Sequence, residues 1–156
     1  MANSTSIQIL EDGAARTVLK VEGVLDTSDV SSTLLVDPAS QATVDPTGSN
    51  YLKATSYRIG KIIHNIEDGL SFNLFWDATS PVRIEELTGR AKVDYRDFGG
   101  LQLKGSSGTA NTAPAGATGK IYYSTQGWST GAILSFSVIL YPHFPISLLM
   151  EVQLKN

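Results

Sequence analysis

The sequence of 156 residues contains no cysteine and only two histidines. The absence of cysteine excludes disulfide frameworks, thiolate zinc sites and cysteine nucleophiles, and it favours folding in a reducing compartment. His64 and His143 are too few for a histidine metal site, and no Gly-x-Ser-x-Gly motif supplies the nucleophile of a hydrolase. We therefore expect no catalytic residue, no metal site and no cofactor.

Clustered positive charge and long apolar runs are also missing. The 12 basic residues are scattered among 15 acidic ones, whereas a nucleic-acid-binding surface groups its Lys and Arg. The first six residues have neither the basic start nor the apolar core of a signal peptide. The longest apolar stretches, near 133–141 and 146–150, fall short of the ~20 residues that span a bilayer. We expect no nucleic-acid, membrane or small-molecule partner.

Two-residue alternation of apolar and polar side chains is the main structural signal. It predicts strands near residues 6–10, 17–25, 31–36, 57–66, 70–77, 82–87, 120–125, 132–141 and 148–154. Helical periodicity is nearly absent, so the fold class is all-β, an antiparallel β-sandwich of jelly-roll type. The alternation assigns nine side chains to the core: Leu70, Phe72, Leu74, Trp76, Ile121, Tyr123, Phe136, Val138 and Leu140.

Turn residues between the strands give further expectations. Asp68-Gly69, flanked by alternating apolar residues, predicts a hairpin over residues 57–77. In the first strand of this hairpin, Ile59 and Ile63 are an even number of residues apart and share one face. His64 lies on the opposite face, which we expect to be exposed to solvent. Residues 95–98, just before two glycines, are compatible with one helical turn.

The chain is predicted to form a single domain over residues 1–156. Two segments are expected to be flexible: an N-terminal arm, residues 1–6, and a loop, residues 104–119. The loop contains 4 Gly, 4 Ala, 3 Thr and 2 Ser among its 16 residues, a composition that offers little apolar surface to offset ordering entropy. Loops of this length in compact domains are usually functional or disordered.

Carboxylates and aromatic rings are the remaining candidates for chemistry. Asp94 and Asp97 are close in sequence, but Glu85 and Glu86 point to opposite faces of a strand, which argues against joint catalysis. Asp26 and Asp29 are interpreted as turn residues. Trp76, Tyr122, Tyr123 and Trp128 are aromatic rings that could stack on a sugar. Trp76 belongs to the core pattern, which leaves Trp128, in a turn framed by glycines, as the candidate for ligand binding.

Four segments resemble a known group of proteins. They are residues 6–13 (SIQILEDG), 67–79 (EDGLSFNLFWDAT), 87–100 (LTGRAKVDYRDFGG) and 119–131 (GKIYYSTQGWSTG). Together they are similar to small virion structural proteins of tailed bacteriophages. The resemblance extends to about Leu140, and the tail over residues 141–156 departs from the pattern.

The resemblance implies a non-enzymatic capsid decoration, or cement, protein. Such a protein is made in the host cytoplasm and resides on the capsid surface of the virion, where it binds the major capsid protein as a homotrimer. A tail or neck component and a carbohydrate-binding β-sandwich remain alternatives. Partner contacts are expected in the arm, in the loop and at the exposed tryptophan: Asn3, Ser4, Thr5, Ser106, Gly108, Asn111, Pro114 and Trp128.

Overall fold

A computed structural model describes residues 3–13, 16–40, 56–103 and 114–143. Within them lie nine β-strands and two 3₁₀ turns, at Pro38–Ser40 and Arg96–Phe98. The second of these is the single helical turn predicted before Gly99 and Gly100. The strands are β1 (Ser4–Asp12), β2 (Thr17–Leu25), β3 (Thr33–Val36), β4 (Ser56–Ile66), β5 (Ser71–Trp76), β6 (Val82–Leu87), β7 (Arg90–Asp94), β8 (Ile121–Gln126) and β9 (Ala132–His143).

The strands form two antiparallel sheets that pack face to face, which confirms the predicted β-sandwich. Sheet A has five strands in the order β1-β2-β9-β4-β7, and sheet B has four in the order β3-β8-β5-β6. Every pairing in both sheets is antiparallel. Apolar side chains from the two inner faces meet between the sheets and form the core.

The predicted core residues are confirmed, since all nine are at most 3% exposed. Phe72 of sheet B lies at the centre of this core. Its ring stacks on Tyr123 at a centroid distance of 5.0 Å and on Phe136, from sheet A, also at 5.0 Å. The aromatic contact therefore joins the two sheets as well as two neighbouring strands.

The hairpin predicted over residues 57–77 is wrong. β4 pairs with β9 and β7 in sheet A, whereas β5 pairs with β8 and β6 in sheet B. The Glu67-Asp68-Gly69 segment does form a tight turn, because the Leu70 N–H donates to the Glu67 carbonyl at 3.0 Å. This turn carries the chain from one sheet to the other instead of reversing it within a sheet.

The placement of His64 on a solvated face is also wrong. A register shift between Ile59 and Lys61 inserts Gly60 as a bulge in β4, which reverses the inward and outward positions beyond it. Ile62 and His64 therefore point inward, with His64 only 5% exposed, and Ile63 is 47% exposed. The His64 Nδ1 lies 3.0 Å from the Gly89 carbonyl, to which it donates a hydrogen bond.

The N-terminal arm predicted over residues 1–6 is wrong for Ser4, Thr5 and Ser6. These residues belong to β1 and pair with Val24, Gly23 and Glu22 of β2. Residues 104–113 of the predicted loop and the strand predicted at 148–154 lie outside the described residues.

Candidate interaction surfaces

β1 is an edge strand of sheet A, and no strand of sheet B in the described part of the chain faces it. Ile7 and Ile9 stand opposite the buried Val21 and Leu19 of β2, so their side chains point to the inner side of sheet A. Five strands face only four, however, and these two side chains remain 39% and 56% exposed. Leu10, the extra residue of a bulge, is 57% exposed. We call Ser4–Leu10 the β1 edge.

The start of the β1 edge is fixed by Asn3. Its side-chain oxygen accepts hydrogen bonds from the backbone N–H groups of Asp26 at 2.8 Å and Thr27 at 3.0 Å, and its amide nitrogen donates to the Ser28 carbonyl at 2.9 Å. The amide of Asn3, predicted to contact a partner, thus holds the strand to the turn after β2. Ser4 and Thr5 remain exposed on the edge strand.

The other sheet edges in the described part of the chain are short or charged. β7 has five residues, of which Arg90 and Lys92 are exposed cations. β6 contains Arg83 and Glu86, which form an ion pair at 3.5 Å, and its ladder is interrupted by a bulge. β3 has four residues and is also irregular. Charge, bulges and shortness are the features that keep an edge from pairing with another chain.

Trp128 is engaged in the fold instead of standing free. Its indole N–H donates to the Leu25 carbonyl at 2.9 Å, and its ring packs against the core as a partly buried side chain. This hydrogen bond ties the β8–β9 connection to the end of β2. Part of the Trp128 ring stays exposed, so its predicted contact with a partner stays a prediction.

The described end of the predicted loop is attached to the β5–β6 turn. The Thr79 N–H donates to Ala115, the Thr118 N–H donates to Asp77, and the Thr118 hydroxyl donates to the Asp77 carboxylate at 2.6 Å. Pro114, one of the predicted contact residues, begins this attached segment. Ser106, Gly108 and Asn111 lie outside the described residues.

A surface cleft of about 300 Å³ lies on the outer face of sheet B. Its floor is an aromatic pair, Phe75 of β5 opposite Tyr122 of β8, both partly exposed. Sequence reasoning weighed Tyr122 as a sugar-stacking ring but missed Phe75, which alternates with the core residues Leu74 and Trp76. The cleft is lined by Ser32, Phe75, Trp76, Asp77, Pro81, Tyr122 and Ser124.

A polar row runs beside the aromatic pair. Ser124, Asn73 and Glu86 stand opposite one another on β8, β5 and β6. Asn73 is 3% exposed, and among the described residues its side-chain oxygen has no hydrogen-bond partner. A buried acceptor without a partner costs free energy, on the order of 1–3 kcal/mol. Asn73 does not line the cleft, so this cost belongs to the fold and the atom is not open to a ligand.

Two of the carboxylates considered for catalysis, Asp94 and Glu85, are held by neighbouring side chains. Arg96 binds Asp94 through its Nε at 2.9 Å and its Nη2 contact, and this pairing holds the pKa of Asp94 well below its usual range. Glu85 points inward and accepts a hydrogen bond from the Tyr95 hydroxyl at 3.0 Å. Burial, assisted by this hydrogen bond, raises the pKa of Tyr95 to about 12. These contacts give both carboxylates structural roles.

Within residues 3–13, 16–40, 56–103 and 114–143, no group of three or more His, Asp or Glu side chains is arranged to hold a metal ion. The same ranges contain no helix that is long and apolar enough to cross a membrane.

Comparison with known proteins gives no relative. No family model matches the chain, and neither a curated protein nor a solved structure matches it.

Proposed function

We propose that this chain is a non-enzymatic structural protein of a bacteriophage particle, and specifically a capsid decoration protein that binds the shell of the major capsid protein. The proposal starts from the sequence resemblance of residues 6–13, 67–79, 87–100 and 119–131. The structural observation that carries it is the β1 edge, which is suited to pairing with a strand of another protein.

The β1 edge differs from the other three edges in length and charge. Over Ser4–Leu10 it has no charged residue and no proline, and no strand in the described part of the chain pairs with it on the side away from β2. Such an edge offers unpaired backbone N–H and C=O groups to an incoming strand. The exposed Ile7 and Ile9 add apolar contacts on one face of that strand, where alternate side chains give specificity.

We further infer that the sandwich is a jelly roll. The strand orders β2-β9-β4-β7 and β3-β8-β5-β6 support this topology, with β1 added beside β2. Eight strands in two packed sheets with Greek-key connections characterise the jelly rolls of viral capsid and lectin domains. A fold carries no function by itself, so the proposal depends on the β1 edge.

A homotrimer on the capsid surface, assembled after synthesis in the host cytoplasm, is part of the proposal. Closed cyclic symmetry lets several copies of one edge engage a symmetric shell at once. Light scattering at micromolar concentration tests the trimer in solution, and a mass of 16.7 kDa, that of one chain, would contradict it there.

Substitution of Ile9 by Lys tests the role of the edge. A charge pointing inward from an edge strand opposes strand addition, so Ile9→Lys should lower co-sedimentation with undecorated phage heads by about tenfold or more. Ile63→Lys is the matched control, because Ile63 is exposed to a similar extent, 47% against 56%, but lies on the outer face of β4, with β9 and β2 between it and β1.

The result has three informative outcomes. Loss of binding in Ile9→Lys with retention in Ile63→Lys supports the proposal. Equal binding by both variants would show that the β1 edge is not the contact, and failure of the unsubstituted chain to bind heads would reject the decoration role. Labelling the protein on intact particles then distinguishes a head position from a tail or neck position.

A further inference from the structure

We propose that the cleft on the outer face of sheet B is a binding site for a neutral saccharide. The floor, formed by Phe75 and Tyr122, would take the apolar face of a sugar ring. The polar side chains of the cleft, Ser32, Asp77 and Ser124, would hydrogen-bond the ring hydroxyls. This site lies on the sheet opposite the β1 edge, and nothing in the argument for capsid binding requires it.

The aromatic floor is a preformed flat surface. Phe75 and Tyr122 are directly opposite each other on paired strands, and the same row continues to Leu34 on one side and Arg83 on the other. A core aromatic would point inward, but these two rings share the outward face of their strands and are partly exposed. Aromatic rings fixed by a rigid sheet can stack on a ligand with little loss of conformational entropy.

The spacing between the aromatic floor and Ser124 fits one sugar ring. Outward side chains two residues apart on a strand are about 6.6 Å apart, and this separation places Ser124 beside Tyr122. A pyranose presents an apolar face and a rim of hydroxyls in a single rigid body of comparable width. The cleft volume of about 300 Å³ is at the small end of ligand sites, as expected for one or two sugar rings.

The polar side chains that line the cleft are Ser32, Asp77 and Ser124. Hydroxyl and carboxylate oxygens of this kind can hydrogen-bond the hydroxyls of a sugar that stacks on the aromatic floor. Asn73 is excluded from this set, because it is only 3% exposed and does not line the cleft, so its unpartnered Oδ1 is closed to a ligand.

The charges around the cleft select against an acidic sugar. Asp77 lies at the rim, where the Thr118 hydroxyl fixes its carboxylate at 2.6 Å. Glu86 ends the polar row, and Arg83, the neighbouring cation, is already paired with it at 3.5 Å. A carboxylate on the ligand would be repelled by these groups, whereas neutral hydroxyls can donate to them.

Nuclear magnetic resonance titration of the full chain tests the site directly. The probes are glucose, galactose, mannose and their β-linked and α-linked disaccharides, each added to tens of millimolar. We expect at least one to shift backbone amide signals within residues 73–77 and 122–124. Tyr122→Ala should weaken that binding by about tenfold or more, and Tyr122→Phe, which keeps the ring, should retain most of it.

The controls separate loss of the site from loss of the fold. Gln126→Ala removes an exposed side chain from the same face of β8, outside the cleft, and should bind as the unsubstituted chain does. Ser124→Ala should fold, because Ser124 is partly exposed on the outer face of β8, and it should bind more weakly because it lines the cleft. The inference is overturned if no probe shifts these signals, if Tyr122→Ala binds as well as Gln126→Ala, or if only a proline-rich peptide binds to the aromatic row.

The saccharide result and the capsid result can fail separately. Tyr122→Ala leaves β1 intact, so it should co-sediment with undecorated heads as the unsubstituted chain does. Ile9→Lys leaves sheet B intact and should keep the sugar-dependent shifts. A variant that lost both activities would show a defect of folding instead of a defect of either site.

Discussion

Substitution of Gly127 by Ala tests how closely the two sheet-crossing corners approach each other. Gly127 follows β8 with a φ of 88°, and a Cβ atom built on it would overlap the Gly69 carbonyl oxygen in the β4–β5 turn. The backbone oxygen cannot move out of the way as a flexible side chain could. Ala therefore meets both an unfavourable φ and a steric overlap at this position.

Gly131→Ala provides the matched control for the steric contribution. Gly131 lies in the same connection at a φ of 79°, but a Cβ atom there would have no neighbour within 4 Å. An Ala at positive φ costs about 1 kcal/mol, and this cost applies to both variants. Overpacking against Gly69 adds about 1–3 kcal/mol, so Gly127→Ala should lose about 2–4 kcal/mol of unfolding free energy in total.

Equilibrium unfolding in urea measures the difference between the two glycines. Both variants should keep the slope of the unsubstituted chain, and the midpoint of Gly127→Ala should fall clearly below that of Gly131→Ala. Equal midpoints would refute the reasoning, because they would mean that the two corners relax apart at little cost or do not touch in solution.

Three further predictions concern single side chains. Trp128→Phe keeps a ring but removes the hydrogen bond to the Leu25 carbonyl, and it should lower the unfolding free energy by about 1 kcal/mol in urea titration. Phe72→Ala removes a fully buried ring with two stacked neighbours and should cost about 3–5 kcal/mol. The raised pKa of Tyr95, about 12, against about 10 when unfolded, contributes stability that is complete below pH 10 and lost between about pH 10 and pH 12. Thermal unfolding at stepped alkaline pH should therefore show a smaller decline in Tyr95→Phe, and an equal decline would contradict the raised pKa of Tyr95.

Period-two patterning explains why the core could be predicted. Leu70, Phe72, Leu74 and Trp76 alternate on one strand, and a strand directs alternate side chains to one face whatever its neighbours are. Burial of one face is a local consequence of the sequence once the strand is placed. The same reasoning correctly separated Glu85 from Glu86, which point to opposite sides of β6.

Pairing between strands could not be predicted in the same way. Asp68-Gly69 makes the tight turn that its sequence predicts, but a tight turn can lead either to the adjacent strand or across to the other sheet. The choice depends on β9, which pairs with β4 from more than sixty residues away along the chain. The Gly60 bulge also depends on a residue that is distant in sequence. The Tyr141 side chain approaches Gly60 so closely that it leaves no room for a side chain at this position.

The β1 edge shows why the candidate site depends on topology more than on patterning. Ile7 and Ile9 alternate as core residues do, and each stands opposite a buried residue of β2. On a strand in the middle of the sheet they would be buried. They are exposed because sheet A has one strand more than sheet B, and β1 is the strand left without a facing strand in the described part of the chain. The apolar pattern that stabilises the inner strands thus becomes, at the edge, an unburied surface that association with another chain would cover.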